Sequence, residues 1–369
     1  MATDSDFILA TADRVRSAAA SGGALRIRGG GSKDFYGEAL NGDILDTTSL
    51  KGVVSYEPSE LVVTALAGTP LAELETLLAA QGQCLPFEPP HFSPNSTVGG
   101  MVAAGLSGPA RASVGAVRDF VLGVKLINGK GEHLTFGGQV MKNVAGYDVS
   151  RLMVGAMGTL GLLTEVSLKV LPIAPLEATL KFEMSQVEAL EKLNAWGGQP
   201  LPLNASCWLD DNGAGTLYLR LRGALAAVEA ACSKLGGERL PNAQAMPDWQ
   251  RARDQQLPWF KDSGDAQDLW RLSVPQTAPV LDLPNSSFIE WHGGQRWLWA
   301  DATQGQQLRA MAEKAGGYAT LFIANCAQKQ GVTTRFDALK SPLDRIHREL
   351  KREFDPAGVF NPQRMHTDW

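Results

Sequence analysis

The segments Arg28-Gly29-Gly30-Gly31-Ser32 and Pro94-Asn95-Ser96-Thr97-Val98-Gly99-Gly100 carry the chemistry most open to a ligand. Glycine lets backbone N–H groups reach an anion that a Cβ would hold off. A third glycine-punctuated stretch, Gly155-Ala156-Met157-Gly158-Thr159-Leu160-Gly161, follows them. In that order the segments suggest a dinucleotide cradle, the first two loops gripping one pyrophosphate from both sides. Two familiar nucleotide sites are excluded. The Gly155–Gly161 stretch follows a helical pattern and precedes a strand, the reverse of the context a nicotinamide-binding fingerprint needs, and no Gly-Lys-Ser/Thr Walker loop is present.

Other chemistries find little support. Cys84, Cys207, Cys232 and Cys326 are scattered, with no Cys-x-x-Cys spacing for zinc or an iron–sulfur cluster, and read as reduced thiols. His91, His133, His292, His347 and His366 form no His-x-x-x-His pair, so no metal site is expected. His91 sits just before the second glycine loop and reads as a turn residue rather than a cofactor contact. With 34 basic and 39 acidic residues the formal charge is −5, which offers no field for nucleic acid or anionic lipid. The acidic start, Met1-Ala2-Thr3-Asp4-Ser5-Asp6, lacks the positive charge of a signal peptide, and no apolar run approaches the roughly 20 residues of a membrane span. A cytoplasmic protein without a membrane span of its own is expected.

At 369 residues, 44% apolar and 20% charged, the chain is long enough for about two domains with ordinary cores. Ala24–Ile27 and Glu60–Ala65 read as strands. Thr69 as cap and Pro70 in the first turn predict a helix carrying Leu71, Leu74, Leu77 and Leu78 on one face and ending near Gly82. The glycines of the second loop are expected to end an extended segment. Phe120–Ile127 and Leu162–Leu171 read as strands, Asn128-Gly129 as a tight hairpin turn, and Asp148 as the cap of a short helix rather than a catalytic acid. Lys142 and Arg151 read as solvated cations. All nine tryptophans lie beyond Pro172, which places a domain boundary there. Ser287–Trp291 and Gln295–Trp299 flank His292-Gly293-Gly294 as a hairpin whose Trp297 and Trp299 pack in a core. Val228–Leu235 and Gln306–Lys314 read as helices. The class is α+β, with an antiparallel sheet in the second half.

The loops, followed by Ala103, Gly105 and Gly108, then Gly146-Tyr147-Asp148 and Gly158-Thr159-Leu160-Gly161-Leu162-Leu163-Thr164-Glu165-Val166, resemble the FAD-binding domain of the vanillyl-alcohol oxidase and p-cresol methylhydroxylase (PCMH) superfamily across about residues 20–175. The stretch Phe136-Gly137-Gly138-Gln139-Val140-Met141-Lys142-Asn143-Val144-Ala145-Gly146-Tyr147-Asp148, the Trp291 hairpin, and Asp355-Pro356-Ala357-Gly358-Val359-Phe360-Asn361-Pro362 narrow the likeness. Nearly the whole chain is similar to the FAD-binding E-subunit family of bacterial glycolate oxidases. The resemblance implies a two-subdomain PCMH-type FAD-binding domain over residues 1–172, a second α+β domain over 173–340, and a C-terminal segment, 341–369, packing back on the first. It implies FAD contacts from Arg28, Gly29, Gly30, Gly31, Ser32, Pro94, Ser96, Thr97, Val98, Gly99, Gly100, Ala103, Gly105, Gly158, Gly161 and Leu162. Ser32 stands where some relatives carry a histidine bonded to the flavin, so the FAD is expected to be non-covalent. A larger flavoprotein D subunit and an iron–sulfur F subunit are the implied partners, through which the complex would meet the inner membrane.

One departure bears on mechanism. Larger 2-hydroxy-acid dehydrogenases of the superfamily carry a C-terminal His-x-Gly-Asp-Gly-Asn segment that serves metal and substrate. The nearest stretch here, Ile323-Ala324-Asn325-Cys326-Ala327-Gln328, has neither the histidine nor the acid. Catalytic residues are therefore left unassigned. Three readings stay open: a flavin that relays electrons during oxidation of glycolate to glyoxylate, a 2-hydroxy-acid dehydrogenase in its own right, and a scaffold with structural FAD.

Overall fold

The computed structural model describes residues 4–138, 148–211, 213–261, 267–325 and 334–369. The expectations placed on Lys142, Gly146, Tyr147 and Cys326 lie outside them. In chain order the elements are α1 (Asp4–Ser21), β1 (Leu25–Arg28), β2 (Asp43–Asp46), β3 (Val53–Glu57), β4 (Val62–Leu66), α2 (Leu71–Ala80), β5 (Gln83–Cys84), α3 (Val98–Ala104), α4 (Arg111–Val114), β6 (Val121–Ile127), β7 (His133–Gly137), α5 (Val149–Leu152), β8 (Leu162–Lys169) and β9 (Leu171–Pro172). They continue with β10 (Leu176–Glu183), α6 (Gln186–Gly197), β11 (Leu203–Asp211), β12 (Ala214–Gly223), α7 (Leu225–Leu235), β13 (Glu238–Leu240), α8 (Asn242–Arg253), β14 (Asp268–Ser273), β15 (Phe288–Glu290), β16 (Gln295–Ala300), α9 (Gly305–Lys314), β17 (Tyr318–Ile323) and α10 (Leu343–Phe354). Among the described residues no helix is long and apolar enough to cross a membrane.

One compact unit gathers Met1–Leu106, Ala116–Ile173 and Ala338–Trp369; the other gathers Ser107–Gly115 and Ala174–Asp337. In the first, an antiparallel sheet of order β3-β4-β8-β6-β7 packs its apolar side, with Val63, Leu126, Val166 and Leu168 fully buried, against Leu71, Leu74 and Leu78 of α2 and Met101 of α3. The leucine spacing that predicts α2 is the spacing that buries it. Thr69 does not cap that helix. Its hydroxyl donates to the Leu66 carbonyl (2.7 Å) and accepts the Gly52 N–H (3.0 Å), leaving Pro70 at the cap position. The β6–β7 connection is also longer than the tight turn expected at Asn128-Gly129. Ile127 pairs with His133, and Asn128 Oδ1 accepts the N–H groups of Lys130 and Glu132, so the side chain closes a wider loop. Beside this sheet, β1 and β2 pair in parallel, and Leu25 and Leu45 meet Val15 and Ala18 of α1, Val359 and Phe360 in a smaller core.

The second unit is an eight-stranded sheet, order β13-β10-β12-β11-β15-β16-β14-β17, with every pair antiparallel. Helices α6 and α7 cover Leu180, Leu217, Leu219 and Leu221, while α9 covers Trp270, Leu272, Leu298 and Leu321. Trp297 is buried, and its indole N–H donates to Glu290 (2.8 Å), so the predicted core stripe also carries a satisfied polar edge. The segment 107–115 joins this unit through the β15–β16 turn. Trp291 donates its indole N–H to the Gly108 carbonyl (3.0 Å), Arg111 lies 4.4 Å from the Trp291 ring centre, and Ser113 Oγ meets His292 Nε2 at 2.9 Å.

His292 Nδ1 meets Ser206 Oγ at 3.0 Å, so only hydroxyls face its ring nitrogens there, and burial pushes its pKa down to about 4. The unfolded chain takes this proton near 6.5 and the folded chain only near 4, so stability falls as pH drops through that window and is unaffected above it. The complete loss is about 3 kcal/mol. His292→Gln is expected to flatten this acid slope, read as urea midpoints inside and above the window. An identical slope in both proteins would mean that His292 protonates freely in the fold.

Candidate cofactor site

Strand β1 delivers the first glycine loop edge-on to the segment that opens α3. A Cβ on Gly30 would lie 1.5 Å from the Asn95 carbonyl oxygen, so only glycine lets the two segments close on each other. The second segment is not the end of an extended run: Gly99 and Gly100 lie in the first turn of α3. Thr97 caps that helix, its Oγ1 accepting the Gly100 N–H (3.2 Å). Gly99 is there because a Cβ would press on Ala67 at 2.8 Å. At Gly100 an added Cβ would meet only Thr97 Oγ1, at 3.1 Å.

The hydrogen bonds separate the roles of the two segments. The N–H groups of Val98 and Gly99 donate to the carbonyls of Thr69 (2.9 Å) and Ala67 (2.7 Å), so the first turn of α3 is already engaged by the protein. By contrast, among the described residues the backbone N–H groups of Gly29, Gly30, Gly31 and Ser32 donate to no protein acceptor. A run of unengaged amides is the arrangement that can accept an anion, and of these two segments the first loop has it. The second segment supplies the opposing wall through Thr97 and Gly100. In the second segment the N–H groups of Val98 and Gly99 are taken up in docking α3 onto Ala67 and Thr69, just after β4.

Cations surround this array. Arg28 Nε and Arg26 Nη2 share Asp34 (2.8 and 2.9 Å), and Lys33 Nζ donates to Ser96 Oγ (2.9 Å) and Ser32 Oγ (3.2 Å). Lys33 thereby links the two segments. The array opens on a cavity of about 100 Å³, open to solvent, walled by Arg28, Gly29, Gly30, Gly31, Ser32, Lys33, Thr97, Gly100, Ala103 and Arg364 among others. A second cavity of about 80 Å³ shares Ile27, Gly29, Gly100, Ala103, Met157 and Asn361 with it, and is otherwise mostly apolar, with Ala67, Met153, Ala156, Leu160 and Leu163 in its wall. A polar compartment joined to an apolar slot matches a ligand with a charged linker and flat rings.

Of the predicted contacts, Arg28, Gly29, Gly30, Gly31, Ser32, Thr97, Gly100 and Ala103 line the first cavity, and Gly99, Gly158 and Gly161 line the second. The others sit behind or outside these walls. Pro94 is exposed at the loop apex, Ser96 is buried behind Lys33, and Val98 is fully buried in the core. Gly105 ends α3 at φ +64°, against Gly155, and Leu162 is fully buried beside Val15 and Leu25. Asp148 caps α5, accepting the Arg151 N–H (3.2 Å), and also pairs with the Arg151 side chain (3.0 Å). His91 pairs with Glu75 (2.9 Å), a turn anchored to α2. Sequence reasoning missed Lys33, Ala67, Met157 and Arg364. Asn361 stood inside a quoted motif without an assigned role.

This pairing of an amide nest with an apolar slot defines a dinucleotide-cofactor protein of the flavoprotein class, and a family model described as "FAD binding domain" matches residues 10–137. The chain is 45% identical over 368 residues, the whole of both proteins, to glycolate oxidase subunit GlcE of Escherichia coli. It is 29% identical to glycolate oxidase subunit GlcD of Bacillus subtilis over 137 residues, 37% of this chain and 29% of that one. A solved structure of alkyldihydroxyacetonephosphate synthase superposes with a TM-score of 0.63 over 95% of this chain and 74% of that one; at 15% identity it speaks for the fold alone. The chain belongs to the FAD-binding E-subunit family of glycolate oxidase, among the FAD-linked oxidoreductases.

Proposed function

We propose that this chain holds FAD non-covalently at the paired cavities and relays electrons during oxidation of glycolate to glyoxylate, in a complex with the larger flavoprotein D subunit and the iron–sulfur F subunit. The observation that carries the site is the run of four unengaged amides, Gly29 to Ser32, beside Arg28 and Lys33 and against an apolar slot. The amides and cations suit a pyrophosphate; the slot walled by Met153, Met157, Leu160 and Leu163 suits a ring system. FAD, when bound, supplies a carrier that accepts an electron pair and passes electrons on singly. The chain's own part is to bind, orient and shield it. The relay role, in preference to substrate oxidation by this chain, rests on the missing His-x-Gly-Asp-Gly-Asn segment: no histidine or acid is assigned to take the substrate's hydroxyl proton. The matching compartment is the cytoplasm, with any membrane contact made through partners.

Ser32 takes a hydrogen bond from Lys33 and cannot form the bond that a histidine makes to a flavin ring. Acid precipitation of the purified chain is expected to release all its yellow colour into the supernatant as FAD. Colour retained in the washed pellet would contradict the non-covalent site. A chain that purifies without flavin and does not take it up would remove the proposal altogether.

A further inference from the structure

The C-terminal segment lies alongside the strand that feeds the first glycine loop and shares the wall of the first cavity with it. Leu25 donates its N–H to the Val359 carbonyl (2.8 Å) and the Asn361 N–H donates to the Leu25 carbonyl (2.9 Å), so the segment runs alongside β1. The Asn361 side chain then fills two roles at once. Its Oδ1 accepts the Ile27 N–H (2.8 Å) and its Nδ2 donates to the Met157 carbonyl (2.6 Å), tying the strand that feeds the amide array to the glycine stretch that walls the apolar slot. Three residues on, the buried Arg364 guanidinium donates to the carbonyls of Glu38 (2.8 Å), Asp34 (3.1 Å), Lys33 (3.3 Å) and Tyr36. Its own carbonyl accepts the Glu38 N–H (2.9 Å).

These bonds converge on one turn, 33–38, which begins immediately after Ser32 and carries the Asp34 carboxylate that orients Arg26 and Arg28. A guanidinium can engage several carbonyls at once because its donors are fixed in one plane. The geometry points to Arg364 and Asn361 as positioning residues for the cofactor: they hold the turn and β1 so that the amides of Gly29 to Ser32 stay aimed into the cavity. The inference rests on the FAD reading above. It makes cofactor affinity a property of a segment more than three hundred positions away from the loop that it orients.

The test is FAD titration of apoprotein prepared from the full-length chain and from Arg364→Ala, Arg364→Lys and Asn361→Ala, followed by flavin fluorescence, with circular dichroism of each apoprotein alongside. Arg364→Ala is expected to keep the native spectrum and to raise the FAD dissociation constant about tenfold or more, in line with the loss of several charge-assisted hydrogen bonds. Arg364→Lys, a point charge able to serve fewer carbonyls, is expected to fall between alanine and wild type. Folded Arg364→Ala that binds FAD as wild type does, or that loses binding only in proportion to its unfolded fraction, would overturn the inference and leave the arginine a purely structural residue. If Arg364→Ala does not fold, the affinities of Arg364→Lys and Asn361→Ala decide in the same way. Wild-type protein that binds no FAD would instead defeat the function proposed above, a result distinct from either.

Discussion

Gly100→Asp is expected to weaken FAD binding about a hundredfold while leaving the protein folded. Gly100 stands in the wall of both cavities, and an added Cβ there meets only Thr97 Oγ1. It is also the third residue of α3, a position where an acidic side chain suits the helix N-terminus. The local fold is therefore expected to take the substitution with a shift of a few tenths of an ångström at Thr97 Oγ1. The carboxylate would face the ligand's phosphates, where like charges a few ångströms apart cost about 3 kcal/mol at an effective dielectric near 20, roughly a hundredfold in affinity. Gly30→Asp and Gly99→Asp are poorer tests, because clashes with Asn95 and Ala67 would confound loss of ligand with loss of structure. The measurement is bound flavin per protein, set against circular dichroism. Gly100→Asp with a full complement of FAD would mean that the cofactor lies elsewhere.

Lys351→Met is expected to act on stability instead. The Lys351 ammonium is buried, donating to the carbonyls of Thr159 (2.7 Å) and Phe360 (3.0 Å) and to Asp355 (2.6 Å). Burial pushes its pKa down while Asp355 pulls it up, with burial the larger influence. Asp355 is buried too and accepts the N–H groups of Val359 and Phe360, which organise the start of the C-terminal segment. Removing the lysine leaves that carboxylate without its counter-charge, and breaking a buried pair in this way costs about 3–5 kcal/mol. A lowered urea midpoint of that size is expected for the apoprotein. Lys351→Met combined with Asp355→Leu should recover only part of the loss, because the two backbone donors lose their acceptor. A single variant as stable as wild type would show the pair to be dispensable.

What could be read in advance follows from the range of the forces involved. The leucine face of α2, the apolar strand-forming runs of β6 and β8, the β15–β16 hairpin and the Asp148 cap depend on residues close in sequence, and each was legible. Gly99 and Gly100 were not legible as helix, since each glycine disfavours a helix by about 1 kcal/mol; docking of α3 onto Ala67 and Thr69 overrides that preference. Thr69 looked like a cap, but its hydroxyl is claimed by Gly52 and Leu66. The segment 107–115 joins the second unit through Trp291 and His292, which no local pattern announces. At the site, the glycines of the first loop were visible as a cluster. Lys33, Asn361 and Arg364 gain their meaning from partners on other segments, and a lone arginine near a chain's end carries no signal of its own.

On the relay reading this chain holds the flavin without being the dehydrogenase. The decisive measurement is to mix the purified chain anaerobically with glycolate and follow the flavin band near ~450 nm, alone and after adding the D subunit. The relay account predicts that the band persists in the isolated chain and bleaches only with its partner present. A residual trickle is compatible with it, because losing a positioned general base costs about 10²–10⁴ in rate. Bleaching of the isolated chain within the mixing time, as fast as in the complete complex, would contradict the account and make this subunit the dehydrogenase.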